Sequence, residues 1–586
     1  MKKIATLSLL FIVCLSPLFT KVVHAASLKR TFSRDYTIVD DYVQVKESKH
    51  LQFVEEGLKI PSGSQEEFTI FNPIDVDPDK ATKLQRTKDS ITLTDSDGRT
   101  LDYQAEDTSS GNLTIKFNFP RDITFFNPYS VTLEYKSFGL LIKSGNIRDV
   151  YVPAFSKDYI FSDDQFEEDV DTRVIIPKSL GNINFVLPES TQTESDGNYI
   201  INLKKEDLVG QTAWIQVGTK QFYSFSLKQA YTKSSPIGFT QNTYKILIPR
   251  DANAGVITQK VYFSKITPTP YSVQQDDLGN MFAEFRVPSN ESGEIVIEGY
   301  AELNQDNSIG FKDSGKLSDI DPQIIKDNTA PAQYWESDSP EIKAAVADLF
   351  KGKDINSMSV YEISQAIYTF VTDKIDYSNV KRFGINERQG ALATLKGGAA
   401  VCMEYSDLYI ALMRAAGVPA RAAFGFGYSA LDSAQAGSDT INHQWAEVYI
   451  PSIKSWVGVD TTWGENGNIL IGGDLNHFYT HVANKSPNTP STTEVRLLGG
   501  SVDIPERKAN VAAITSIPTT GLSTEDELIA KYPKQNEFDI NEIPETTSTI
   551  LKVILALLIT FIIVAPFLIR RKNKVKSTIK EIDKVY

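Results

Sequence analysis

Thiols are almost missing from this 586-residue chain, which holds two cysteines beside five each of histidine, methionine and tryptophan. Cys14 falls in an apolar N-terminal run, so a processed chain keeps a single thiol, Cys402. One thiol excludes an intramolecular disulfide, and stability must come from packing. Positive charge is short as well: 60 Lys and Arg face 74 Asp and Glu, a net −14. Setting aside the leader's three lysines and the net +5 of residues 570–586 leaves −22 on residues 26–569. Such a surface repels nucleic acid, which is excluded as a partner, and it repels anionic lipid. No repeat of fixed short period and no nucleic-acid motif is present. Acidic stretches such as Asp75-Val76-Asp77-Pro78-Asp79 lack the alternating oxygen ligands of a calcium loop and read as solvated surface. His477 and His481 stand four apart with no third zinc ligand close by in sequence, and read as surface or pocket-rim residues. No metal and no cofactor is expected.

Long apolar runs occur only at the two ends. Residues 1–25 carry Lys2 and Lys3, an apolar stretch through Leu18, and Val23-His24-Ala25, the layout of a signal peptide cleaved after Ala25. Residues 549–569 number about 20, enough at about 1.5 Å each to cross a hydrocarbon core of about 30 Å. Arg570-Arg571-Lys572-Asn573-Lys574 follows at once, and positive-inside bias assigns residues 570–586 to the cytoplasm. The expectation is a single-pass type I protein of the cell membrane with its ectodomain outside. Between these ends, residues 26–306 alternate apolar and polar over short runs such as Leu113-Thr114-Ile115-Lys116-Phe117, broken by turns such as Asp95-Ser96-Asp97-Gly98. That pattern predicts β-sandwich modules, one over 26–137 and one or two more over 138–306. A connector (307–333), an α+β domain (334–484) and a polar, mostly extended stalk (485–548) with a short helix near Glu525 complete the order.

The small residues Gly397-Gly398-Ala399-Ala400-Val401 lead straight into Cys402, and Leu408, Ala411, Leu412 and Ala415 then recur at helical spacing. A thiol at the first turn of a helix faces unpaired N–H groups and the positive end of the macrodipole, which favour the thiolate. His443 opens His443-Gln444-Trp445-Ala446-Glu447-Val448, a strand pattern, and Asp460 closes Ser455-Trp456-Val457-Gly458-Val459-Asp460, a second one. A Pro451-Ser452-Ile453-Lys454 turn joins the two as a hairpin, so the imidazole and the carboxylate can meet. Triad logic then assigns Cys402 the attack, His443 the proton transfers, and Asp460 the imidazole's orientation.

These motifs, with Gly417-Val418-Pro419-Ala420-Arg421 between them, resemble the transglutaminase-like superfamily over about residues 357–479. The resemblance implies a papain-like α+β domain with a Cys-His-Asp triad behind the all-β modules and before the transmembrane helix. It implies structural support from an Arg421–Glu447 ion pair bracing the helix against the sheet, with Trp445 as wall, and an oxyanion role for Tyr377 beside the Cys402 N–H. It also implies acyl transfer on amides, more toward hydrolysis, as in a cysteine peptidase or amidase, than toward amine cross-linking. Substrates would be extracytoplasmic proteins or cell-wall peptides. A non-catalytic peptide-binding scaffold or adhesin is the other reading.

Overall fold

The structure is a computed structural model, and it describes residues 28–71, 80–108, 112–154, 166–235, 240–383, 387–428, 441–463, 470–485, 493–497 and 503–534. The chain divides into two units, Met1–Lys531 and Tyr532–Tyr586. The expected signal peptide (1–25), transmembrane helix (549–569) and tail (570–586) lie outside the described residues. Among those described, no helix is long and apolar enough to cross a membrane.

The first β module runs over residues 28–217 without a break at 137. Its larger sheet has seven strands, in which Leu28–Ile38 pairs antiparallel with Val43–Phe53 and parallel with Phe166–Pro177. The strict alternation of Tyr129–Ser137 puts Val131, Leu133 and Tyr135 on the buried face. A second, four-stranded sheet contributes Ile147–Val152 and Ala213–Val217 to the same core. The division expected near residue 137 is therefore wrong. A parallel partner more than 130 residues away leaves no local trace in the sequence, because periodicity reports which face is buried and not which strand covers it.

The second module is a sandwich built on residues 220–305. Lys220–Tyr231 pairs with Gly293–Gln305 on one side and with Lys508–Ile514 on the other. In the facing sheet Gln241–Ile248 pairs with Met281–Pro288 and with Thr493–Arg496. The described part of the expected stalk thus supplies strands, and its helix Glu525–Lys531 buries Leu528 and hydrogen-bonds Asp251 through Glu525 (2.5 Å). Polar composition misled here because an edge strand needs few apolar side chains when its hydrogen bonds come from the backbone.

The third domain places the candidate site. Helix α1 (Pro340–Leu349) starts at Ser339, whose hydroxyl accepts from the Ile342 N–H, and α2 (Val360–Lys374) starts at a Ser359/Glu362 capping box. Helices α3 (Asn379–Phe383) and α4 (Ala391–Leu395) lead to the buried helix α5 (Cys402–Ala415). Helix α5 ends in a Schellman turn: Gly417 takes φ +83°, Val418 N–H donates to Met413 O and Gly417 N–H to Arg414 O. Four antiparallel strands follow, β1 (Ala420–Gly427), β2 (Ile441–Ile450), β3 (Ser455–Val459) and β4 (His477–Ala483), in the sheet order β3-β2-β1-β4. Tyr405, Leu408 and Leu412 of α5 bury fully against Ala422, Ala446 and Val448 of the sheet. The expected connector belongs to this domain, since its Ser314 hydroxyl caps α2 at the Tyr361 N–H and its residues Pro322–Asn328 form a short helix.

Candidate active site

Cys402 is the first residue of α5, so its N–H has no acceptor one turn back. It is unpaired and half-buried. The loop before it is held on two sides. Ser378 N–H donates to Ala400 O (2.8 Å) beside an isolated bridge from Tyr377 to Ala400, which sets the Tyr377 backbone two residues from the thiol. Glu404, fully buried in the first turn, accepts from the N–H groups of Val401 and Gln389 (3.1 and 3.2 Å) and pairs with Lys381 of α3 at 2.7 Å. A lone buried carboxylate there would oppose negative charge on the sulfur, and Lys381 offsets it at close range.

The next turn of α5 is tied to the strand that carries the histidine. Ser406 Oγ lies 3.0 Å from Gln444 O, and the Gln444 amide donates to Asp407 (3.0 Å). Asp407 in turn accepts from Trp335 Nε1 and from the Arg388 guanidinium. Burial pushes the Asp407 carboxyl up, against the pull of Arg388. Both the backbone and the side chain beside His443 are therefore fixed to the helix that presents Cys402.

Strands β2 and β3 pair as the expected hairpin, turning at Lys454 with φ +48°. His443 Nε2 meets Asp460 Oδ2 at 2.8 Å, which leaves Nδ1 for the Cys402 thiol, its other hydrogen-bonding neighbour. Burial opposes charge on this ring, but the Asp460 carboxylate and Cys402 outweigh it and push the His443 pKa up to about 10. For Asp460, burial likewise opposes the ion, and His443 and His477 hold the carboxyl far below its usual range. Asp460 Oδ1 also accepts from the N–H groups of Thr462 and Trp463 (2.8 and 3.3 Å). The structure thus brings together all three candidates for the triad.

Trp463, which the sequence did not single out, stacks on the His443 ring at 5.0 Å and 13°, while Trp445 packs against the same ring at 5.9 Å. Two indoles exclude water around the His443–Asp460 hydrogen bond. Gly427 on β1 makes room for Trp463, since a Cβ there would stand 2.7 Å from the indole. Gly427→Ala is expected to push Trp463 off the histidine and lower Cys402 reactivity about fivefold, with little change in unfolding temperature. The rate of carboxamidomethylation at pH 6 checks this.

Arg421 and Glu447 do pair, at 2.6 Å, but as in-register neighbours across β1 and β2, with Arg421 also over Trp456 at 4.2 Å. They brace strand to strand and not helix to sheet. A further tie from helix to sheet is Arg414, whose guanidinium donates to the carbonyls of Ala420, Ala330 and Asn484 (2.9, 2.6 and 2.7 Å). Burial lowers its pKa to about 10, so it stays charged at neutral pH. Arg414→Met strands the buried carbonyls of Ala420 and Asn484 and is expected to cost about 3 kcal/mol, read as a fall in the urea midpoint.

His477 and His481 correct the sequence reading: they lie on strand β4 and both are buried. His481 stacks on Phe424 at 4.6 Å, and burial holds its pKa down at about 3. His477 enters the site, with Nε2 3.0 Å from Asp460 Oδ2 and Nδ1 2.7 Å from Asp474 Oδ1. The nitrogens of His443 and His477 and the oxygen of Asp460 lie within 4.8 Å of one another, a cluster of metal-ligand type. Their separations are those of hydrogen bonds in which one carboxylate oxygen serves two imidazoles.

Residues 350–461 match the family model of the transglutaminase-like superfamily core. No curated protein matches the chain. Among solved structures, the chain is similar to a candidate cysteine protease from Cytophaga hutchinsonii, at 17% identity and a TM-score of 0.35 over 53% of this chain and 99% of that one. It is also similar to a candidate protease from Parabacteroides distasonis, at 9% identity and a TM-score of 0.18 over 76% and 72% of the two chains. The part of this strand-rich, multidomain chain that holds Cys402, His443 and Asp460 is a transglutaminase-like domain.

Proposed function

We propose that this protein is an extracytoplasmic, membrane-anchored thiol enzyme that transfers acyl groups from amides through a Cys402 thioester. The observation that carries the proposal is the pairing of a half-buried thiol with an imidazole whose far nitrogen is fixed 2.8 Å from a buried carboxylate. The Cys402 sulfur attacks an amide carbonyl, whose oxygen takes the negative charge at the Cys402 N–H, with Tyr377 as second candidate donor. His443 gives its Nδ1 proton to the leaving amine, and the C–N bond breaks. Water then attacks the thioester, losing a proton to His443, and releases the acid and the thiol. Hydrolysis is the favoured outcome, with amine transfer as the alternative, and the substrates are surface proteins or wall peptides. The apolar ends 1–25 and 549–569 support the location. A scaffold that only binds peptides has no need of a proton relay behind its cysteine.

The test is a peptide anilide offered with and without a primary amine. The expected result is free acid as main product, with Cys402→Ala inactive. Equal turnover by Cys402→Ala would overturn the thiol mechanism, and conjugation of most of the acyl group to the amine would overturn hydrolysis.

A further inference from the structure

Asp460 serves a second imidazole that the triad does not require. We propose that His477 is a positioning residue for the triad, an imidazolium locked between Asp474 and Asp460 that fixes the carboxylate on which His443 is oriented. The inference rests on the thiol-enzyme reading above.

Three hydrogen bonds and two ring contacts carry it. Asp460 Oδ2 is shared between His443 Nε2 at 2.8 Å and His477 Nε2 at 3.0 Å. His477 Nδ1 lies 2.7 Å from Asp474 Oδ1, so both ring nitrogens face carboxylates and both donate. A ring donating from both nitrogens is cationic. The ring is 2% exposed and packs between Trp445 (4.7 Å) and Trp463 (4.5 Å), so no solvent replaces these partners. Burial opposes the charge, and Asp474 and Asp460 restore it, raising the His477 pKa above its ordinary value.

The first β module holds the loop that carries this arrangement. Gln216 Oε1 accepts from the Leu475 N–H (3.3 Å), and Asp149 accepts from the Asn476 amide (3.4 Å). Asp149 is itself fixed by Trp214 Nε1 and the Gln216 amide (2.8 and 3.1 Å). The sandwich thus reaches the triad through loop 474–477 and His477. The other titratable groups around the pair are His443 and Cys402, Tyr368 of α2, Tyr479 of β4, Asp149 and Tyr151 of the first module, Tyr223 of the second, and Tyr428 after β1. Burial keeps Tyr151 and Tyr223 neutral far into alkaline pH, and it pushes the Asp149 carboxyl up to about 6.

The test is the rate of Cys402 carboxamidomethylation by iodoacetamide from pH 4 to 9, on the full chain in an Asp149→Asn background that removes the titration near 6. His477→Phe keeps the ring packing and removes both donors. It is expected to move the acid limb of the profile up by about one pH unit and to lower labelling at pH 6 about tenfold. His477→Gln keeps an amide N–H for Asp460 and is expected to recover most of that loss. Asp474→Asn, which leaves the ring in place without its charge partner, is expected to move the limb the same way by less. A reference profile retained in both His477→Phe and Asp474→Asn would overturn the positioning role while leaving the thiol enzyme standing, and so would a changed unfolding temperature with an unchanged profile. A wild-type chain whose acid limb matches that of the urea-unfolded chain would overturn the enzyme reading and this inference with it.

Discussion

His443→Ala is expected to lower turnover of an acyl donor by about 10³-fold or more while the chain stays folded. The ring supplies the proton for the leaving amine and accepts it back from water, and general acid–base transfer of this kind contributes about 10²–10⁴-fold. With a pKa near 10, His443 carries its proton at neutral pH. The wild-type rate should therefore hold on the alkaline side and fall above about pH 10, as the imidazolium is lost. Stability follows the same proton. The folded value lies above the ordinary 6.5, so the stabilisation is fully present below about pH 6.5 and disappears as pH rises through about 10. Denaturation at pH 6 and pH 10 should show a loss of a few kcal/mol in the wild type. In His443→Ala that loss should be smaller.

Asp460→Asn should damage both the stability of the chain and its turnover. The carboxylate accepts from two imidazoles on one oxygen and from two backbone N–H groups on the other. An amide offers one oxygen, and its NH₂ must face donors, which leaves at least one buried N–H unpaired. Breaking a buried charged network in this way costs about 3–5 kcal/mol. Turnover should fall further still, because an amide in place of the orienting carboxylate of a triad costs about 10⁴-fold through the wrong tautomer. The urea midpoint and the turnover of the folded fraction measure the two effects separately. A variant within about tenfold of wild type would show that Asp460 does not orient the histidine.

The site was more legible than the scaffold, for a physical reason. Cys402, His443 and Asp460 sit on short local patterns: a small-residue loop before a helix, and two strands joined by one turn. Local pattern fixes local geometry, so the hairpin alone suffices to bring His443 to Asp460. His477 gave no such signal. It reaches Asp460 because β4 returns to the far edge of the sheet beside β1, and a spacing of seventeen residues carries no trace of that return. The i, i+4 spacing of His477 and His481 is that of a helical face, yet the chain forms a strand there. Glu404, Asp407 and Arg388 were silent too, because a buried charge and an exposed one look alike until their partners are known. The modules failed for the same cause: strands 28–38 and 166–177, and strands 220–231 and 508–514, find each other across long separations.

The most direct test of the account is the rate at which iodoacetamide modifies Cys402 at pH 6, in the native chain, in the urea-unfolded chain, and in His443→Ala. Native wild type should react at least about tenfold faster than its unfolded form, and His443→Ala should abolish that advantage. A native thiol that reacts no faster than the unfolded one, or as fast without His443 as with it, would contradict the claim that this imidazole activates this sulfur.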